Sequence, residues 1–126
     1  MAYALNTPAG QAVQNIIDDL PQLIAVAIVE VSSGMCLASH SNSPTLNPET
    51  AAAYNTEVVK QKQKAMGALK LTNEKIDDIL ITLTTQIHLI NLLDDGRKFI
   101  YLVVKQRDTN LAIARDVLRQ QAEVFK

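Results

Sequence analysis

The stretch FIYLVVKQRDTNLAIARDVL, residues 99–118, changes its period halfway along. Residues 98–105, KFIYLVVK, are rich in aromatic and β-branched side chains, which suit a strand. A polar run follows. Beyond it, Leu111, Ala114, Leu118, Ala122 and Phe125 recur at three- and four-residue spacings with Val117 beside them, which is one face of a helix. Asp108, Thr109 and Asn110 each carry an oxygen that can accept from the free amides of a first helical turn, so the helix starts there. Its face begins small and ends bulky. With Ala112 and Ala114 among Leu111 and Ile113, the helix can lie close over the sheet that the chain has just left.

Upstream, residues 8–20 predict a first helix, with Pro8 near its start, Val13, Ile16, Ile17 and Leu20 inward, and Pro21 ending it. LIAVAIVEV (23–31), the turn letters Ser32, Ser33 and Gly34, and MCLAS (35–39) predict a β-hairpin covered on both faces. Residues 39–48 are a polar connection in which Asn47 caps a second helix running from Pro48 to about Leu69. On that helix Ala51, Tyr54, Val58, Ala65, Met66 and Leu69 share one broad face, with Lys62 inside it and Lys60 and Lys64 on the other side. After a loop at residues 72–75, strands are expected at 78–85, 87–93 and 98–105, the last two joined by the turn signal Asp94, Asp95, Gly96. The order α-β-β-α-β-β-β-α predicts an α+β domain (α/β in the broad sense). Its five-stranded, mostly antiparallel sheet carries the second helix on one face and the two terminal helices on the other.

The 126 residues suffice for one domain, residues 1–126, with 1–10 allowed as a disordered N-terminal extension. A net charge of -1 provides no field to recruit nucleic acid. The longest wholly apolar run, residues 23–29, is too short to cross a bilayer, so no membrane insertion is expected. The lone Cys36 reads as an inert core thiol in a reducing, cytoplasmic setting.

Catalytic chemistry finds no support. Gly10, Gly34, Gly67 and Gly96 are scattered, so no loop cradles phosphate, and His40, His88 and Cys36 form no metal-ligand spacing. His40 reads as a loop-edge residue and His88 as a strand residue with a partner or solvent. The doublets Asp18–Asp19, Asp77–Asp78 and Asp94–Asp95 read as a helix end, a strand start and a turn, because adjacent side chains diverge. The expectation is a non-enzyme with no catalytic, cofactor-binding or metal-binding residues and no cofactor.

From Ile79 to Thr85 the third strand has no charge, proline or glycine, the devices that keep an edge from pairing with another chain. As the first strand of a three-strand meander it falls at an edge. It is therefore expected to pair with a copy of itself, through Ile79, Leu80, Thr82 and Thr84.

The chain resembles the roadblock family, which includes dynein light chains, Ragulator scaffold subunits and a bacterial regulator of a Ras-like motility GTPase. The resemblance rests on LPQLIAVAIVEVSSGMCLAS (20–39) and, more specifically, on residues 99–118 with their Asn-Leu-small-hydrophobic-Ala-Arg helix start. Glycines common in the family's first hairpin are replaced by Gln22 and Ala25. The resemblance implies a homodimer, or a heterodimer with a related chain, formed by third strands and by second helices. Here Tyr54, Val58 and Lys62 would meet the partner. It also implies a non-enzymatic adaptor or regulator of a Ras-like small GTPase or larger assembly. Lys60 and Lys64 are candidates for the partner surface, although a charge run more often simply faces water. A small-molecule sensor or a purely structural scaffold is the alternative.

Overall fold

The computed structural model describes residues 3–93, 96–107 and 109–125. The expected Asp94–Asp95 turn, Asp108 as a capping candidate and the side chain of Phe125 lie outside the described residues. The elements are α1 (Pro8–Asp19), β1 (Leu23–Glu30), β2 (Cys36–Ser41), α2 (Pro48–Ala68), β3 (Asp78–Thr82), β4 (Gln86–Leu93), β5 (Lys98–Lys105) and α3 (Leu111–Phe125). Every strand pairing is antiparallel, and the sheet order is β2-β1-β5-β4-β3.

The helix starts follow from local chemistry. Thr7 Oγ1 accepts from the Gly10 amide and Pro8 occupies the first turn of α1. Asn47 Oδ1 accepts from the amides of Glu49 and Thr50 at 2.9 and 3.2 Å, again just before a proline. At α3 the cap is Asn110, whose Oδ1 accepts from the Ile113 amide at 3.2 Å. Gly10 is needed for close approach, because a Cβ there would collide with the Ala4 carbonyl.

Side-chain alternation divides the core in two. Val26, Ile28, Leu89, Ile100, Leu102 and Val104 face α1 and α3, meeting Val13, Ile16, Ala114 and Leu118. Ala25, Ala27, Val29, Phe99, Tyr101 and Val103 face the other way, toward Ala52 and Val59 of α2. Asn15 Nδ2 donates to Gln121 Oε1 at 3.0 Å and ties α1 to α3.

Several local expectations change. β2 continues through His40 to Ser41, since antiparallel pairing with Val26 and Ala25 outweighs the polar composition; His40 is a strand residue, not a loop-edge one. β2 is also less covered than expected, with Leu37 exposed. Cys36 sits half-buried at the margin of the core, and burial pushes its thiol pKa up, which favours the protonated form. β3 ends at Thr82 rather than Thr85: the Leu83 amide donates to the Gln86 carbonyl at 2.8 Å and closes a turn around Thr84 and Thr85. Thr84 therefore lies in a turn, outside the strand. In α3 only Ala114 makes the close approach, while Ala112 faces solvent.

On α2 the face turned to the sheet is Ala52, Thr56 and Val59, with the Thr56 hydroxyl donating to the Ala52 carbonyl at 2.7 Å. The broad apolar face packs on the core only through Ala51 at its margin; Tyr54 is 74% exposed and Val58 41%.

Replacing Asn47 by Ala removes an acceptor from two amides and is expected to lower stability by about 1 kcal/mol. Urea unfolding should show a reduced midpoint with an unchanged slope.

Candidate protein interaction surface

β2 and β3 stand at opposite edges of the sheet, so the connection between them crosses its whole width. The 21-residue α2 does this. It is about 30 Å long, against a five-strand width of roughly 19 Å. It packs mainly on β1 and β2. Ile79, Ile81 and His88, on the same face near the β3 edge, are only half-buried.

The flank of α2 turned toward this open area carries Asn55, whose side-chain amide donates to the Ala51 carbonyl at 2.8 Å and lies near the Tyr101 hydroxyl on β5. Val58 and Lys62, three and seven positions later, share that flank. A shallow, mostly apolar concavity between Glu57, Val58, Gln61, Lys62 and Ala65 continues it upward. Lys62 is exposed, and so are Lys60 and Lys64, which project from the opposite flank.

The floor carries a polar chain. Tyr101 Oη lies 2.8 Å from His88 Nδ1, and His88 Nε2 lies 2.9 Å from Gln86 Oε1. Gln86 Oε1 can only accept, so Nε2 carries the proton and Nδ1 accepts from the tyrosine. Burial pushes the tyrosine pKa up to about 12 and lowers that of His88, so both groups are held neutral.

The bare edge lies beside this area. The β3–β4 register pairs Ile79 with Ile90 and Ile81 with His88, flanked by the Leu92 amide donating to the Asp77 carbonyl and the Leu83 amide donating to the Gln86 carbonyl. Antiparallel ladders alternate, so Ile79 and Ile81 spend their backbone groups on β4. Asp78, Leu80 and Thr82 direct theirs outward. Leu80 is 38% exposed and Thr82 is exposed, both on the α1/α3 face. The structure thus brings Ile79, Leu80 and Thr82 to the sheet's edge and Val58 and Lys62 to the flank above its α2 face. Tyr54 points further out, and Lys60 and Lys64 stand apart.

Sequence reading missed Arg115. From α3 its Nε and one terminal nitrogen donate to the two carboxylate oxygens of Asp78 at 2.8 and 3.1 Å, clamping the first residue of the edge strand. The available signal was a cation beside the apolar stripe of α3 together with an acid at a strand start, but only the fold brings them together. Among the described residues, no group of three His, Cys, Asp or Glu side chains is placed to hold a metal.

No family model and no curated protein matches the sequence. Solved structures do share the architecture. A Roadblock/LC7 domain from Streptomyces avermitilis superimposes with a TM-score of 0.74 at 10% identity, covering 90% of each chain. MglB of Myxococcus xanthus gives 0.77 at 16% identity, covering 96% of this chain and 94% of that one. The gliding protein MglB of Thermus thermophilus gives 0.74 at 16%, covering 98% and 92%. At these identities the likeness is one of fold. The chain has the roadblock fold, as residues 20–39 and 99–118 led one to expect.

Two outcomes test this geometry. Arg115→Ala should cost about 2 kcal/mol, much of it from leaving the Asp78 carboxylate without its partner; adding Asp78→Asn should recover part of the loss in chemical denaturation. The folded pKa of His88 lies below its unfolded value near 6.5, so between the two the unfolded chain binds the extra proton. Its contribution to stability is complete above about pH 6.5 and lost as pH falls through the folded value. Melting temperature should therefore fall more steeply between pH 7.5 and 5.5 in the native protein than in His88→Gln; parallel curves would remove His88 as the cause.

Proposed function

We propose that this protein is a non-enzymatic adaptor or regulator that works as a dimer in the cytoplasm and binds a Ras-like small GTPase or a larger assembly. The whole chain, residues 1–126, acts as a single roadblock domain in this reading. The observation that supports it best is the edge strand β3, whose outward backbone groups at Asp78, Leu80 and Thr82 lie beside the half-covered sheet face and the exposed flank of α2. From Ile79 to Thr82 this edge has no charge, proline or bulge, the devices by which soluble folds blunt an edge. A second copy, or a related chain, would add its own β3 and lay its α2 alongside, covering Ile79, Leu80, Thr82, Tyr54, Val58 and Lys62, with Thr84 at the seam's end. Lys60 and Lys64, on the outer flank of each α2, would then remain free for an acidic surface of the GTPase. The partner class comes from the family resemblance. No residue here is assigned to hydrolysis.

A cleft of about 750 Å³ beside the end of α2, lined by Met66, Leu71, Leu92, Arg119 and Glu123 among others, supports small-molecule sensing as the second reading. Its mixed apolar and charged lining suits an amphipathic ligand.

Sedimentation at micromolar concentration should show a dimer, and Leu80→Lys should shift it to monomer. Affinity capture from the native cell, with GDP or a non-hydrolysable GTP analogue added, should retain a Ras-like GTPase in a nucleotide-dependent way. Lys60→Glu with Lys64→Glu should reduce that retention about tenfold while leaving the dimer intact. A monomer at tens of micromolar overturns the dimer, and a copurifying metabolite without any GTPase favours the sensor.

A further inference from the structure

The hydrogen-bond phase of β3 restricts how two copies can join. Resting on the dimer just proposed, we infer that the seam has one register, centred on Leu80: Leu80 opposite the second copy's Leu80, and Asp78 opposite its Thr82.

Only Asp78, Leu80 and Thr82 turn their N–H and C=O groups away from β4. Any register that set one of them opposite Ile79 or Ile81 would face outward groups with groups already spent, so the two strands must meet even residue to even residue. The pairing must also be antiparallel for a two-fold axis to relate identical strands. Among such registers, the one centred on Leu80 uses all three residues of each strand and closes about six hydrogen bonds. Sliding either copy by two residues takes one end past the strand, into the loop before Asp78 or the Thr84–Thr85 turn, and forfeits about two of them.

Side chains select the same alignment. On the α2 face it sets Ile79 against the second copy's Ile81, twice, as non-hydrogen-bonded pairs, in which side chains approach most closely. On the α1/α3 face the two Leu80 side chains, each 38% exposed in one chain, meet at the axis. The charge falls well too. Asp78 lies opposite a threonine, whereas a register centred on Asp78 would oppose two carboxylates; Arg115, clamped on Asp78, then closes each end of the seam.

Disulfide trapping tests this in a Cys36→Ser background. Ile79→Cys and Ile81→Cys chains, each alone and mixed, are oxidised under limiting conditions, with sedimentation run on the reduced samples. The expected result is that the mixture forms a 79–81 cross-link at least tenfold faster than either variant forms its own 79–79 or 81–81 link. A dimer in which 79–79 or 81–81 forms as fast overturns the register while leaving the dimer standing. Reduced samples that are monomeric, when the native chain is dimeric, would point to damage from the cysteines. A charge pair then decides the matter: Leu80→Lys, which opposes two lysines at the axis, should abolish the dimer, and Thr82→Lys, which meets Asp78, should weaken it less than tenfold. Equal loss in the two lysine variants overturns the register. A native chain that sediments as a monomer overturns the dimer itself.

Discussion

The antiparallel ladder between β1 and β5 is the constraint from which the rest of the molecule follows. It runs from Leu23 with Val104 to Glu30 with Lys98 at the centre of the sheet. Because the chain's two ends of strand structure meet there, each hairpin must build outward from it. The first leaves β2 at one margin and the second leaves β3 at the other. The intervening segment can join those margins only by crossing a sheet face, and a single helix laid across five strands cannot cover them all. The open area around Ile81 and His88 is thus a consequence of topology.

The two margins are not equivalent. β2 has a register shift opposite Ile28 and Val29, and beyond Ser41 its ladder with β1 runs on through the Asn42 amide donating to the Ile24 carbonyl. A shift of that kind blunts an edge. β3 has none. It is short, no residue in it is fully buried, and it is held by β4 and by the Arg115 clamp. An ion pair suits that place, since it fixes the strand from the α3 side without occupying the edge.

Local signals were legible in the sequence and long-range ones were not. The caps at Asn47 and Asn110, the turn at Gly34 and the strand of residues 98–105 depend on neighbours in the chain, and each was readable. The edge position of β3 was readable as well, because the first strand of a three-strand meander has a neighbour on one side only. Three features depended on context. His40 became a strand residue through pairing with Val26, Thr84 left its strand through closure of a turn, and Arg115 found Asp78 across 37 positions. The face of α2 that packs on the sheet was not read from the sequence, because Ala52, Thr56 and Val59 are too small and mixed a set to stand out beside the broader apolar stripe of Tyr54 and Val58, which points outward.

That outward stripe separates the two faces of the sheet by role. The α1/α3 side holds the larger cluster, with Ile16, Leu89, Ile100, Leu102 and Leu118 fully enclosed, and this is where stability resides. On the other side α2 fully buries only Ala52, Thr56 and Val59, small side chains whose burial returns a few kcal/mol at most. Ordering 21 residues costs far more than that. Intrahelical hydrogen bonds and the Asn47 cap offset part of it, yet a helix in water gains most of its stability from packing an apolar face. The face with the most to gain is the one bearing Tyr54 and Val58, which this chain leaves uncovered. A helix so placed is better suited to completing its packing against another molecule than to serving as one more layer of its own core.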